Sequence, residues 1–305
     1  MHPPARVGLV VHPRREIGDA LDAIRGWATG HGVALGQVAI HGQARRVAEP
    51  VEVDSSDVLV ALGGDGTTLA ALHAAAPASR PVLGVACGSI GVLTSVAADR
   101  LSSALEELTE GRWTTRALPG LEVAPETGGG GVAINDFVAI RDGPGQVITS
   151  ITVDGELYAR TAGDGVIVAT PLGSTAYTMA AGGPILGAGT EGMVVMALAH
   201  HGGVVPPLVV GPSSRVGLTV EPGYGGSRFE IDGQELPAPA TEVTVRQRPG
   251  YATMVTLADQ EPLLTSLRRR GLVVDSARIL ARDARELKPP AADALRAREP
   301  RTAPR

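Results

Sequence analysis

The chain has 305 residues, 44% of them hydrophobic and 19% charged, which is long enough for two ordinary domains with cores of their own and excludes wholesale disorder. A net charge of -5 offers no basic field for a nucleic acid and turns attention to small ligands. Cys87 is the only cysteine, so an intrachain disulfide and a thiolate metal cage are both ruled out, and the chain fits a reducing, cytoplasmic compartment with Cys87 as a buried, inert thiol.

The apolar run at 7–11 is too short for a signal peptide or a spanning helix and reads as a buried strand. Ile17, Leu21, Ile24 and Trp27 follow at helical spacing, then come a strand at 35–40, a clear strand at 58–62, a helix at 67–76 and a strand at 82–86. Alternation of this kind predicts a parallel sheet covered by helices. After a helix at 101–110 the chain becomes β-rich, with runs at 121–124, 132–140 and 147–153. Asp154-Gly155 then makes a two-residue hairpin signal. Further strands are expected at 193–198, 216–220, 228–231, 242–246 and 253–257, followed by a helix from Leu263. The expected organisation is an α/β domain over 1–116 with a parallel sheet, completed by a C-terminal helix at 262–283, and a β-rich, two-layer domain over 117–261. A mobile tail is expected over 284–305, from its Pro, Ala and Arg content.

Three segments carry chemistry. Gly63-Gly64-Asp65-Gly66-Thr67 lies between an apolar strand and a helix, where glycines let the backbone approach a ligand and free helix N–H groups attract phosphate. The loop lacks the Walker lysine and does not have the Gly-x-Gly-x-x-Gly spacing. A carboxylate among phosphate-binding glycines is awkward unless it holds a metal or takes a proton from a hydroxyl, so Asp65 is the candidate general base, although Asp is also a favoured helix cap. Asn135-Asp136 interrupts an apolar strand and either fills a bulge or faces a ligand. The stretch from Gly163-Asp164-Gly165 through Thr170-Pro171-Leu172-Gly173-Ser174-Thr175-Ala176-Tyr177 to Gly182-Gly183-Pro184 takes a strand into a short helix starting near Ser174 or Thr175, with hydroxyl donors around it. Tyr177 is either a stacking ring or core, and Asp164 reads most simply as a turn residue.

In order and spacing these segments resemble the NAD kinase family, with Pro207-Leu208-Val209 and Asp232-Gly233-Gln234 matching its later signatures, over roughly residues 6–270. The resemblance implies phosphorylation of the 2′-hydroxyl of the adenosine ribose of NAD by ATP or another phosphoryl donor. Asp65 would be the base, and Gly63, Gly64, Gly66 and Thr67 would bind phosphate. Gly66, Asn135, Asp136, Asp164, Thr175, Ala176, Tyr177, Thr178, Met179, Ala180 and Gln234 would bind substrate. Magnesium would arrive with the ATP rather than in a protein metal cage. A homodimer or homotetramer is implied, with no membrane or nucleic-acid partner. The chain departs from the family pattern at Asp136 (Glu is usual), Leu172 (Ser or Thr), Val92 (an aromatic, in the segment from Gly88, Ser89 and Ile90 to Leu93), Ala162 (Arg), Pro206 (Arg) and His200-His201 (Pro-His). These changes surround the expected substrate. They leave open a related kinase for another ribosyl or nucleotide-like acceptor, or a non-catalytic NAD(P) sensor.

Overall fold

The computed structural model describes residues 2–40, 44–88, 91–187, 189–237 and 241–286. Strand β1 (Arg6–Val11), helix α1 (Gly18–His31), β2 (Ala34–Gln37), β3 (Val58–Gly63), helix α2 (Asp65–Ala75) and β4 (Val82–Ala86) alternate as expected. The strands pair in parallel in the order β4-β3-β1-β2. Side chains alternate across this sheet. Val58, Val60 and Leu62 pack toward α1, while Leu59 and Ala61 pack toward Ala71 and Leu72 of α2, so both faces of β3 are apolar. The short β5 (Val96–Ala97) pairs with β4, and helix α3 (Leu101–Thr109) places Leu101, Leu105 and Leu108 in the same core layer as α1.

The β-rich part contains β6 (Trp113–Pro125), β7 (Gly131–Ala133), β8 (Asp136–Arg141), β9 (Val147–Val153), β10 (Glu156–Gly163) and β11 (Gly165–Ala169). These are followed by the one-turn helix α4 (Tyr177–Ala180), β12 (Met193–Leu198), β13 (Leu208–Val210), β14 (Arg215–Glu221), β15 (Ser227–Ile231), β16 (Gln234–Glu235) and β17 (Glu242–Leu257). Strands β13-β12-β11-β8-β15-β16 form one antiparallel sheet. The other sheet runs β10-β9-β14-β17 and continues into β4, so it joins the parallel strands without a break. Phe137, Val166 and Val195 of the first sheet meet Ile151, Leu218 and Val245 of the second, which is the expected two-layer β packing. Asp154 and Gly155 both have positive φ, 53° and 87°, as a two-residue hairpin requires.

The segments expected as two strands at 242–246 and 253–257 are one strand, β17, with a register shift between Arg248 and Ala252 opposite β6. Pro249 and Gly250 (φ +60°) make a bulge there, not a turn. The unit beginning at Pro262 holds helices α5 (Leu263–Arg269) and α6 (Ala277–Glu286), with Arg268 bidentate to Asp275. Helix α6 runs to Glu286, inside the segment expected as a tail from 284, and 287–305 lie outside the described residues. Among the described residues no helix is long and apolar enough to cross a membrane.

Candidate active site

At the end of β3 the extended Gly64 (φ -138°, ψ -167°) leads into α2, whose first residue is Asp65. The first-turn N–H groups have no helical acceptor, and the N-cap residue Gly64 offers no side chain to cap them. They border a cleft of about 320 Å³ lined by His12, Arg15, Gly64, Asp65, Gly66 and Thr67. A side chain at Gly63 would meet Thr67 Cβ at 2.7 Å, so this glycine allows Thr67 to fold back onto the strand end.

Asp65 does not cap α2. Its Oδ2 accepts the Val92 N–H at 2.8 Å, and Oδ1 accepts the N–H groups of Leu93 and Thr94 at 3.0 and 3.2 Å. A side chain at Gly91 would overlap this carboxylate, so the glycine is what lets the 91–94 loop wrap around it. Each carboxylate oxygen has two lone pairs, so among the described residues one acceptor position on Oδ2 has no donor. Val92 takes part through its backbone, so its departure from the family pattern leaves the contact in place, whereas Ser89 and Ile90 lie outside the described residues.

Asn135 lies in the break between β7 and β8, and Asp136 begins β8. The break is held from outside by Asp232, whose carboxylate accepts the N–H groups of Ile134, Asn135 and Asp136 at 2.7–3.0 Å. The same carboxylate meets His73 Nε2 of α2 at 2.7 Å. Helix α2 therefore carries the cleft at its first turn and the Asp232 contact two turns later. Because Asp232 satisfies the backbone, neither the Asn135 amide nor the Asp136 carboxylate has a side-chain hydrogen bond among the described residues. Both are spare for a ligand, which favours that alternative over a passive bulge. Asp136 is 5% exposed, and burial, reinforced by the negative charges of Asp232 and Glu230, pushes its carboxyl up to about 7.

That shift carries a stability consequence. An Asp with a raised folded-state value holds its proton while the unfolded chain releases it, so its contribution falls as pH rises from about 4 to about 7. Asp136→Asn removes this liability. The variant is expected to be stabilised by on the order of 4 kcal/mol above pH 7, with the gain shrinking toward zero near pH 4. Urea unfolding of both proteins across that range checks it, and a pH-independent difference would contradict the assignment.

The segment after β11 packs on the same break. Thr170 donates its hydroxyl to Ile134 O and its N–H to Asn135 O, and a side chain at Gly173 would run into the Asn135 backbone. The hydroxyls expected as ligand donors are used internally: Ser174 bonds Pro171 O, and Thr175 bonds Leu172 O within a 3-10 turn at Gly173–Thr175. Thr178 is fully buried, and its hydroxyl has no partner among the described residues. Tyr177 is 41% exposed at the start of α4, so it is not core, and Ala180 is exposed while Ala176 and Met179 are half-buried. Gln234 is exposed on β16 beside Ile231, whose other neighbour is Phe137, so it lies near Asp136. Leu172 packs in the cluster containing Leu118 and Ile134.

Asp164 is not brought to this group. It is bonded to Arg141 at 2.6 Å at the other end of β8, roughly 17 Å along the strand from Asp136. Sequence reasoning missed His12, Arg15, His73 and Asp232 as site residues. Asp232 alone had a local signal, the Asp-Gly-Gln signature itself.

A glycine turn at a helix N-terminus with a carboxylate on the cleft, joined through one helix to an uncommitted Asn-Asp pair, is an arrangement suited to phosphoryl transfer. The ATP-NAD kinase N-terminal domain matches residues 7–113, and the ATP-NAD kinase C-terminal domain matches residues 134–257. NAD kinase 1 of Streptomyces coelicolor is 33% identical over 272 residues, covering 75% of each chain. NAD kinase of Thermomicrobium roseum is 33% identical over 253 residues, covering 80% of this chain and 83% of its own. Among solved structures, yeast NADH kinase complexed with NADH superposes with a TM-score of 0.74 at 21% identity, covering 90% of each chain. An NAD kinase from Archaeoglobus fulgidus in complex with ATP gives 0.69 at 22% identity, covering 87% of this chain and 97% of its own. The two structures share the fold, and the chain belongs to the NAD kinase family.

Proposed function

We propose that the chain transfers the γ-phosphoryl group of ATP to the 2′-hydroxyl of the adenosine ribose of NAD, forming NADP and ADP. Phosphorylation of NAD follows from the family. The observation that supports the residue roles is the acceptor position on Asp65 Oδ2 with no donor among the described residues, on the lining of the cleft at the first turn of α2. In this reading the donor's phosphates lie against the first turn of α2 at Gly64, Gly66 and Thr67. Asp65 receives the hydroxyl proton as the ribose oxygen bonds to the γ-phosphorus and the bond to the β-phosphate oxygen breaks. Asn135 and Asp136 hold the ribose, and Tyr177 and Gln234 stand beside it. Among the described residues no three His, Cys, Asp or Glu side chains converge on a common point, and three of the four acceptor positions on Asp65 are filled. These residues fit a magnesium ion carried in by the donor's own phosphates, which would supply charge neutralisation there. Asp164 enters this reading only if a substrate reaches the far end of β8.

The direct test is NADP formation by the purified protein from NAD and magnesium ATP, read with an NADP-specific dehydrogenase. Steady production supports the proposal. Tight NAD binding without NADP would leave a binding protein instead.

A further inference from the structure

The glycine loop carries no lysine, and the described residues contain none, so a side-chain cation for the donor's phosphates among them is an arginine. The cleft contains one. Arg15, in the turn after β1, has its Nη1 3.2 Å from the position a Cβ would take on Gly64 and 3.0 Å from the equivalent position on Gly88. Both glycines leave room for the guanidinium, which lies across the loop at the start of α2. Among the described residues its one side-chain hydrogen bond is a long one, to Cys87 O at 3.4 Å, and no carboxylate pairs with it.

The turn that carries Arg15 is fixed from two sides. Arg45 Nη1 bonds Arg15 O at 2.6 Å and His12 O at 3.4 Å, and the Arg45 carbonyl is in turn held by Gln37 Nε2. His12 Nδ1 accepts the N–H groups of Arg14 and Arg15 at 3.1 and 2.9 Å. An Nδ1 that accepts places the ring proton on Nε2, and burial together with the neighbouring arginine charges lowers the His12 value, which favours that neutral form. A cation and a neutral N–H donor therefore line the same cleft as the free amides of α2.

We infer that Arg15, with His12 Nε2 beside it, binds the phosphate chain of the phosphoryl donor and supplies the cation that the glycine loop lacks. Arg45 acts as a positioning residue that holds their turn. The inference rests on the reading that phosphates occupy the α2 cleft. A guanidinium reads two phosphate oxygens at once, so it suits a polyphosphate chain better than an isolated hydroxyl or ring.

The experiment pairs kinetics with binding in wild type, Arg15→Gln and Arg15→Lys. Arg15→Gln is expected to raise KM for magnesium ATP at least tenfold with KM for NAD within threefold, and Arg15→Lys is expected to recover part of the loss. Calorimetric titration with inorganic tripolyphosphate reads the same contact without turnover and should weaken at least tenfold in Arg15→Gln. Wild type that binds tripolyphosphate while Arg15→Gln binds it equally well overturns the role of Arg15 and leaves the kinase reading standing. Wild type that binds neither tripolyphosphate nor ATP overturns both. If Arg15→Gln fails to fold, Arg15→Lys decides the matter: donor affinity equal to that of wild type with a raised KM for NAD would move Arg15 to the acceptor side.

Discussion

Replacing Asp65 with asparagine is expected to lower the turnover of NADP formation by about 10² to 10⁴, the range for loss of a general base. The side chain keeps its shape and one acceptor oxygen, so the N–H groups of Leu93 and Thr94 retain their partner. The new amide nitrogen then faces the Val92 N–H, a donor opposite a donor, at a cost of about 1 to 3 kcal/mol in stability. Rate and stability therefore respond separately. Steady-state rates at saturating NAD and magnesium ATP, set beside the calorimetric affinity for NAD, distinguish the roles. Turnover within threefold of wild type would remove Asp65 from proton transfer. A loss of NAD affinity as large as the loss of rate would make it a support for the 91–94 loop.

The second large effect is expected at Asp232, which touches neither the cleft nor any proposed ligand. Its carboxylate is the shared acceptor for three consecutive backbone N–H groups and for His73. Asp232→Ala leaves those three N–H groups without a partner, and at about 1 to 3 kcal/mol for each buried orphan the loss should reach about 3 to 9 kcal/mol. Urea unfolding measures it. The same variant should weaken NAD binding more than it weakens ATP binding, because the Asn135-Asp136 backbone loosens while the first turn of α2 does not. A stability change below about 1 kcal/mol would mean that water replaces the carboxylate at little cost.

How much of this was legible in the sequence depended on whether the cause was local. The parallel strands, the Asp154-Gly155 hairpin and the glycine turn before Asp65 come from periodicity and from residues that demand particular backbone angles, so they could be read directly. Two strands at 242–246 and 253–257 were expected where there is one, because a Pro-Gly pair can mark either a turn or a bulge and only the partner strand decides: Gly120 stands opposite Arg248 and Leu118 opposite Ala252, so the ladder resumes on both sides. The hydroxyls of Ser174 and Thr175 suggested ligand donors, but each lies within reach of a carbonyl three residues back and closes a local turn instead. Arg15 was invisible because nothing in residues 12–15 says that they will lie against residues 64 and 88. His73 was missed for the same reason, being a helix residue 159 positions from its partner.

The single strand β17 has a consequence for the order in which the chain can be assembled. Val82 of β4 meets Met254 of β17 across about 170 intervening residues, and β6 finds most of its ladder on the same late strand. As the chain leaves the ribosome, the parallel strands can pair with one another early. The large sheet must nevertheless wait, with β6 unpaired along most of its length, until residues near Leu257 have emerged. A truncation before β17 would therefore do more than shorten the molecule: it would leave β4, β6 and β14 without the strand they share, and open strand edges are the arrangement most exposed to aggregation.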